Sequence, residues 1–201
     1  MKHKSGFVNI IGNPNVGKST LMNALIGQNL SIITNKAQTT RHRIKGILSD
    51  ENYQIVFSDT PGIIKPAYKL QESMMQYVKS AFQDADVILY VVEIGEQGLK
   101  DKDIFEKIKK LKIPLIILLN KIDVVTQEKV LIEIENWKNK FSDALILPIS
   151  ALNRFNINEI INSIVELLPF SPPYYSKDEF TDKSERFFVE EIIREKGNNS
   201  T

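Results

Sequence analysis

The 201-residue chain has no cysteine. Disulfide frameworks, thiolate metal sites and cysteine nucleophiles are excluded together, and a reducing compartment is compatible with that. Only two histidines occur, His3 and His42, and neither sits in a cluster that suggests a metal site. An excess of charge is missing too: 26 basic residues face 25 acidic ones, for a net charge of +1. No global field for a polyanion results, so contact with nucleic acid has to come from a local patch. Long hydrophobic runs are also lacking. The best, "IPLIILL" at 113–119, falls well short of the roughly 20 apolar residues that span a bilayer. The basic start "MKHKSG" leads into a short apolar run, without a signal-peptide core or cleavage site. A soluble, cytoplasmic monomer is the expectation. What is present is ordinary globular material, 42% hydrophobic, enough for one sizeable core and a short appendage.

Short apolar runs alternate with helical patterns. "FVNII" (7–11), "QIVFS" (54–58), "VILYVV" (87–92), "PLIILLN" (114–120) and "ALILPI" (144–149) read as buried parallel strands. "HRIKGILS" (42–49) reads as a half-buried strand, joined by the turn "DEN" to the next in an antiparallel hairpin. Helical segments are expected near 18–27, 69–83, 100–111, 126–140 and 157–168, with Gly27 as a C-cap and Asn156 or Asn158 as the last N-cap. The order βαββαβαβαβα predicts a doubly wound, mostly parallel α/β sheet over residues 1–168. Beyond Leu168, "PFSPPYY" reads as a semi-rigid linker, and residues 169–201 carry too few apolar residues for a core.

Chemistry is expected at the carboxyl ends of the strands. "GNPNVGKST" follows the first strand and fits G-x-x-x-x-G-K-[ST]. Gly12, Asn13, Pro14, Asn15, Val16, Gly17, Lys18, Ser19 and Thr20 then cradle phosphates with backbone N–H groups. Lys18 reaches the outer phosphates and the Ser19 hydroxyl ligates Mg²⁺. A bland strand-to-helix turn is the competing reading. "DTPG" ends the hairpin: Asp59 can hold Mg²⁺ through water, and the Gly62 N–H can meet a terminal phosphate, with Thr60 and Pro61 between them. The competing reading is a polar turn. "NKID" ends the next strand but one. Asp123 can accept from guanine N1–H and the 2-amino group, donors that adenine lacks. Asn120 helps hold the base and position the loop, and the Lys121 stem covers the base face. Ser150, Ala151 and Leu152 follow the last strand, where the Ala151 N–H can meet guanine O6. Each stretch alone is weak. Their order, each after a β-type run, points to a guanine nucleotide, GTP or GDP.

Between the first helix and the hairpin lies "KAQTTRHR" (36–43). Thr40 is the candidate second protein ligand to Mg²⁺, engaged only when the γ-phosphate is present, with Thr39 as its rival. Lys36, Arg41, His42, Arg43 and Lys45 can contact RNA phosphates or simply face solvent. Tyr174 and Tyr175 can stack on RNA, with packing on the domain favoured, and Trp137 is read as core. An ATP-dependent P-loop kinase shares the phosphate loop but has no use for "NKID".

"GNPNVGKSTLMNALIGQ", "KAQTTRHRIKGI", "DTPGI", "NKID", "PISAL" and "FTDKSERFFVEEIIREK" together resemble the Era family, in the translation-factor-like class of P-loop GTPases. The likeness runs over residues 5–196. It implies hydrolysis of GTP as a switch in small (30S) ribosomal subunit assembly and 16S rRNA maturation. Binding near the rRNA 3′ end and peripheral association with the inner membrane face are implied with it. The family continues into a KH RNA-binding domain, whose GXXG clamp is not found after residue 180, so 169–201 is expected to be a linker and an incomplete start of that domain. Lys18, Thr40, Gly62 and Asn15 are the candidate catalytic residues. Asn15 matches a position that can ligate K⁺ beside the phosphates, against an equally weighted role in stabilising the turn. Many GTPases orient water with a Gln where this chain has Ile63, so either intrinsic turnover is weak or the water is placed by the backbone or by a partner. A GTP-responsive binding module with negligible turnover, or another ribosome-assembly or membrane-linked GTPase, remains open.

Overall fold

The computed structural model describes residues 3–27, 44–59 and 85–176. Six strands form one sheet: β1 (Lys4–Ile11), β2 (Ile44–Ser49), β3 (Tyr53–Asp59), β4 (Val87–Glu93), β5 (Leu115–Asn120) and β6 (Leu145–Pro148). Their order is β2-β3-β1-β4-β5-β6. The β2–β3 pair is antiparallel and every other pairing is parallel. Four described helices accompany them: α1 (Lys18–Ile26), α2 (Lys102–Lys109), α3 (Gln127–Lys140) and α4 (Ile157–Leu167). The helix expected at 69–83 lies outside the described residues.

The strands are apolar on both faces because helices cover both. In β4, Val87, Leu89 and Val91 pack with α1 and α4 residues such as Leu21, Leu25, Ile160 and Ile164. Their neighbours Ile88, Tyr90 and Val92 pack on the other face with Ile104, Ile108, Trp137 and Phe141. That is the period-two alternation of a strand with no wet face. Trp137 is fully buried, edge-on to Tyr90 with ring centroids 5.6 Å apart.

β1 is longer than its apolar run predicts. Lys4, Ser5 and Gly6 pair with Tyr53, Gln54 and Ile55, because a parallel ladder is held by backbone groups whatever the side chain. A Cβ at Gly6 would stand 2.6 Å from Leu168 Cδ2 and 2.7 Å from Asp86 Oδ2, so both side chains would have to shift. Gly27 ends α1 with φ 78°, and its N–H donates to Asn23 O. Asn156 stands at the start of α4 but makes no side-chain cap. Its backbone is left-handed (φ 59°), which turns the amide away to donate to Pro148 O at 2.8 Å.

Sheet order places the site. The chain leaves β1 towards β3 on one side and β4 on the other, so a crevice opens at the carboxyl end of β1. Residues 169–176 run along the opposite end of the sheet. Ser5 N–H donates to Pro169 O and Ser171 N–H to His3 O. The Lys4 ammonium donates to Val165 O and Glu166 O at the end of α4. Buried Gln54 then clamps the strap: Oε1 accepts from Tyr174 N–H (2.8 Å) and Tyr175 N–H (3.0 Å), and Nε2 donates to Tyr175 O (2.9 Å). Tyr174 lies against Phe7 with ring centroids 4.9 Å apart, so it packs on the domain. Residues 177–201 lie outside the described residues.

Gln54→Ala should leave two backbone donors of the strap without their acceptor. The expected cost is about 1–3 kcal/mol in denaturant unfolding, with faster amide exchange at Tyr174 and Tyr175. Unchanged exchange at both would show that Gln54 does not hold the strap.

Candidate functional site: a phosphate loop tied to a base loop

The turn from β1 to α1 is shaped by residues that tolerate unusual backbone. Gly17 has φ 97° and Asn15 φ 65°, both left-handed. Asn is among the few other residues that enter that region readily, and Asn15 is exposed there. A Cβ on Gly12 would collide with Val91 O, and one on Gly17 with Asn120 Nδ2. Both positions therefore hold the loop close to the strand ends. Val16 is buried beneath it. Ser19 and Thr20 are half-buried in the first turn of α1, and Pro14 is half-buried in the loop. Unpaired N–H groups at a helix start favour an anion. Lys18, only 7% exposed, donates to the Asn13 carbonyl at 2.8 Å, so its ammonium is folded inward along the loop.

Asn13 faces away from the crevice with its side chain. Its Nδ2 donates to Glu96 Oε1 (3.1 Å) and Gly98 O (3.0 Å), while Oδ1 accepts from Lys100 N–H (3.0 Å). Only its backbone remains for phosphate. Burial pushes the Glu96 carboxyl above its ordinary range, against the pull of hydrogen bonds from Asn13 and from the Glu93 N–H.

On the base side, Asn120 is 2% exposed and uses both ends of its amide within the protein. Nδ2 donates to Val16 O at 2.7 Å and Oδ1 accepts from Ala151 N–H at 3.0 Å. Asn120 thus positions two loops, which is one of the two roles expected of it. The Ala151 N–H, the candidate donor to guanine O6, lies beside Asn120 at the end of β5 and donates to its Oδ1. Asp123 lies in the 3-10 turn Ile122–Val124 with its carboxylate exposed. Lys121, left-handed at φ 66°, pairs its ammonium with Glu93 Oε2 at 2.7 Å. Ser150 is buried, and its Oγ accepts from Asn153 N–H. Leu152 stands 76% exposed. Asp59, the first residue of "DTPG", ends β3 beside Ile10 of β1. Thr40, Thr60, Pro61 and Gly62 lie outside the described residues.

Three supports carry no motif signature. Glu96 and Glu93 buttress Asn13 and Lys121. Arg154, left-handed at φ 56°, donates to Ala24 O at 2.9 Å and ties the base loop to the last turn of α1. Only the unusual "NRFN" turn after "SAL" hints at it in the sequence.

A family model described as a 50S ribosome-binding GTPase matches residues 7–121. A solved structure of Era in complex with MgGDPNP and nucleotides 1506–1542 of 16S ribosomal RNA superposes with a TM-score of 0.91 at 40% identity, covering 96% of this chain and 67% of that one. This chain belongs to the Era family of GTPases. GTPase Era of Clostridium kluyveri is 47% identical over 194 residues, 96% of this chain. GTPase Era of Staphylococcus haemolyticus is 44% identical over 196 residues, 97% of this chain. The chain spans 66% of the length of these two Era relatives.

Proposed function

We propose that this chain binds GTP and hydrolyses it to GDP and phosphate, as a switch serving small ribosomal subunit assembly and 16S rRNA maturation. One observation carries the nucleotide reading. Asn120 joins the loop that holds Lys18 to the loop beside Asp123, so phosphate and guanine chemistry belong to one site. The exposed Asp123 carboxylate accepts from N1–H and the 2-amino group. An adenine offers neither donor and leaves the acceptor unmatched. The rRNA reading is supported by kinship with the Era protein solved on a 16S rRNA fragment. Titrating a 16S 3′-region oligonucleotide against a scrambled one decides it.

The site fits a nucleotide with Mg²⁺. The loop approaches closely enough to exclude any Cβ at Gly12 and Gly17, and Ser19 lies in the first turn of the helix behind it. Ser19, Asp59 and Thr40 are the residues that would hold the ion. Mg²⁺ would neutralise charge on the β- and γ-phosphate oxygens. Lys18 places a further positive charge along the loop, and the backbone donors of 13–19 orient the phosphates without rearrangement. Asn15 belongs to the same proposal as a K⁺ ligand, and single-turnover rates in K⁺ and Na⁺ buffers separate that role from a purely structural one. Ile63 supplies no group to orient water. It favours a second reading, a GTP-responsive module of very low turnover, which the same single-turnover rates measure. A cytoplasmic monomer touching the inner membrane face completes the proposal. Among the described residues no helix is long and apolar enough to cross a membrane.

Asp123→Asn tests the base assignment. Xanthine carries a carbonyl where guanine carries its amino group, so donor and acceptor must exchange together. GTP affinity should fall by roughly 100-fold or more while affinity for xanthosine triphosphate rises. Equal losses for both nucleotides would remove Asp123 from the base edge.

A further inference from the structure

We propose that Glu96 is a positioning residue for Lys18, acting through Asn13. The inference rests on the guanine-nucleotide reading of the site. The Lys18 ammonium takes its place along the loop from a hydrogen bond to the Asn13 carbonyl at 2.8 Å. The position of that carbonyl therefore bears on where the charge points. A lysine chain has four rotatable bonds and loses entropy whenever it is held. A carbonyl that is itself fixed lowers that cost when a phosphate arrives.

Asn13 is fixed by its own side chain. Three hydrogen bonds satisfy both ends of the amide, and all three partners lie in the loop that follows β4. Two of those partners are backbone groups, Gly98 O and Lys100 N–H, and one is the Glu96 carboxylate. Glu96 is fixed in turn. Its Oε2 accepts from the Glu93 N–H at 3.2 Å, and its own N–H donates to Glu93 O at 2.9 Å. Glu93 closes β4 and pairs with Lys121 of "NKID". The line Glu93–Glu96–Asn13–Lys18 thus anchors the phosphate loop to a rigid strand end. A half-buried carboxylate is costly to desolvate, and its amide and backbone partners offset that cost only in part. The arrangement is consistent with a positional role, since an apolar residue would fill the space without orienting Asn13.

The experiment compares GDP affinity, by displacement of a fluorescent GDP analogue, across five chains. They are the original chain, Glu96→Ala, Glu96→Gln, Lys18→Met and the double variant Glu96→Ala with Lys18→Met. Circular dichroism checks that each is folded. Glu96→Ala should weaken GDP about 10-fold. Glu96→Gln keeps one acceptor, for Asn13, while its amide nitrogen loses the bond from the Glu93 N–H, so it should recover part of that loss. In the Lys18→Met background, Glu96→Ala should cost nothing further, because the group it positions is gone. A full additional 10-fold loss there, or a Glu96→Gln loss equal to that of Glu96→Ala, overturns the proposal, as does undiminished affinity in Glu96→Ala. Failure of the original chain to bind GDP would instead overturn the guanine-nucleotide reading.

Discussion

The structure turns on one buried side chain. The Asn120 amide donates to the Val16 carbonyl of the phosphate loop and accepts from the Ala151 N–H of the base loop. A phosphate loop and a base loop can be built separately, but a nucleotide needs both at a fixed spacing. Asn120 sets that spacing from the end of β5, the rigid element between them. Gly17 follows from the same constraint, since any side chain there would strike the Asn120 amide. Arg154 supports it from behind by fastening the base loop to α1.

The sheet makes such a tie possible. Five strands end at one edge in register, so residues distant in sequence arrive together. Val16 and Asn120 are 104 positions apart, and Asn13 and Glu96 are 83 apart. Both core layers lock the strands from either face, and side chains at their ends inherit that rigidity. The far edge carries a different task. There Gln54 holds the segment that follows α4 against the start of β3, and Lys4 at the start of β1 donates to Val165 O in the last turn of α4. Asp59 and Gln54 stand on the same strand, one at each end, so the phosphate side and the strap share β3.

Much of this was legible before any coordinates. Buried parallel strands announce themselves as short Ile, Val and Leu runs, and the phosphate-loop glycines have no cheap substitute. The start of β1 was not legible, because Lys4, Ser5 and Gly6 pair through backbone and carry no apolar signature. The supports were hidden for a related reason. Glu96 and Arg154 look like ordinary loop charges, and only long-range geometry shows what they hold. "NKID" revealed that Asn120 matters, yet not that its amide faces two protein loops. Asn156 shows the limit of local rules: it has the right type for an N-cap, but left-handed backbone sends its amide to Pro148. Apart from Asp59 at the end of β3, "DTPG" and "KAQTTRHR" lie outside the described residues.

The central claim is that Asn120 holds the two loops as one site. Amide hydrogen exchange on the nucleotide-free Asn120→Ala chain measures it most directly. Exchange should accelerate at Val16–Lys18 and at Ala151–Asn153 together, by roughly 10-fold or more, while the Trp137 and Phe141 amides on the opposite face keep their protection. Acceleration in one loop without the other, or in neither, would contradict the account.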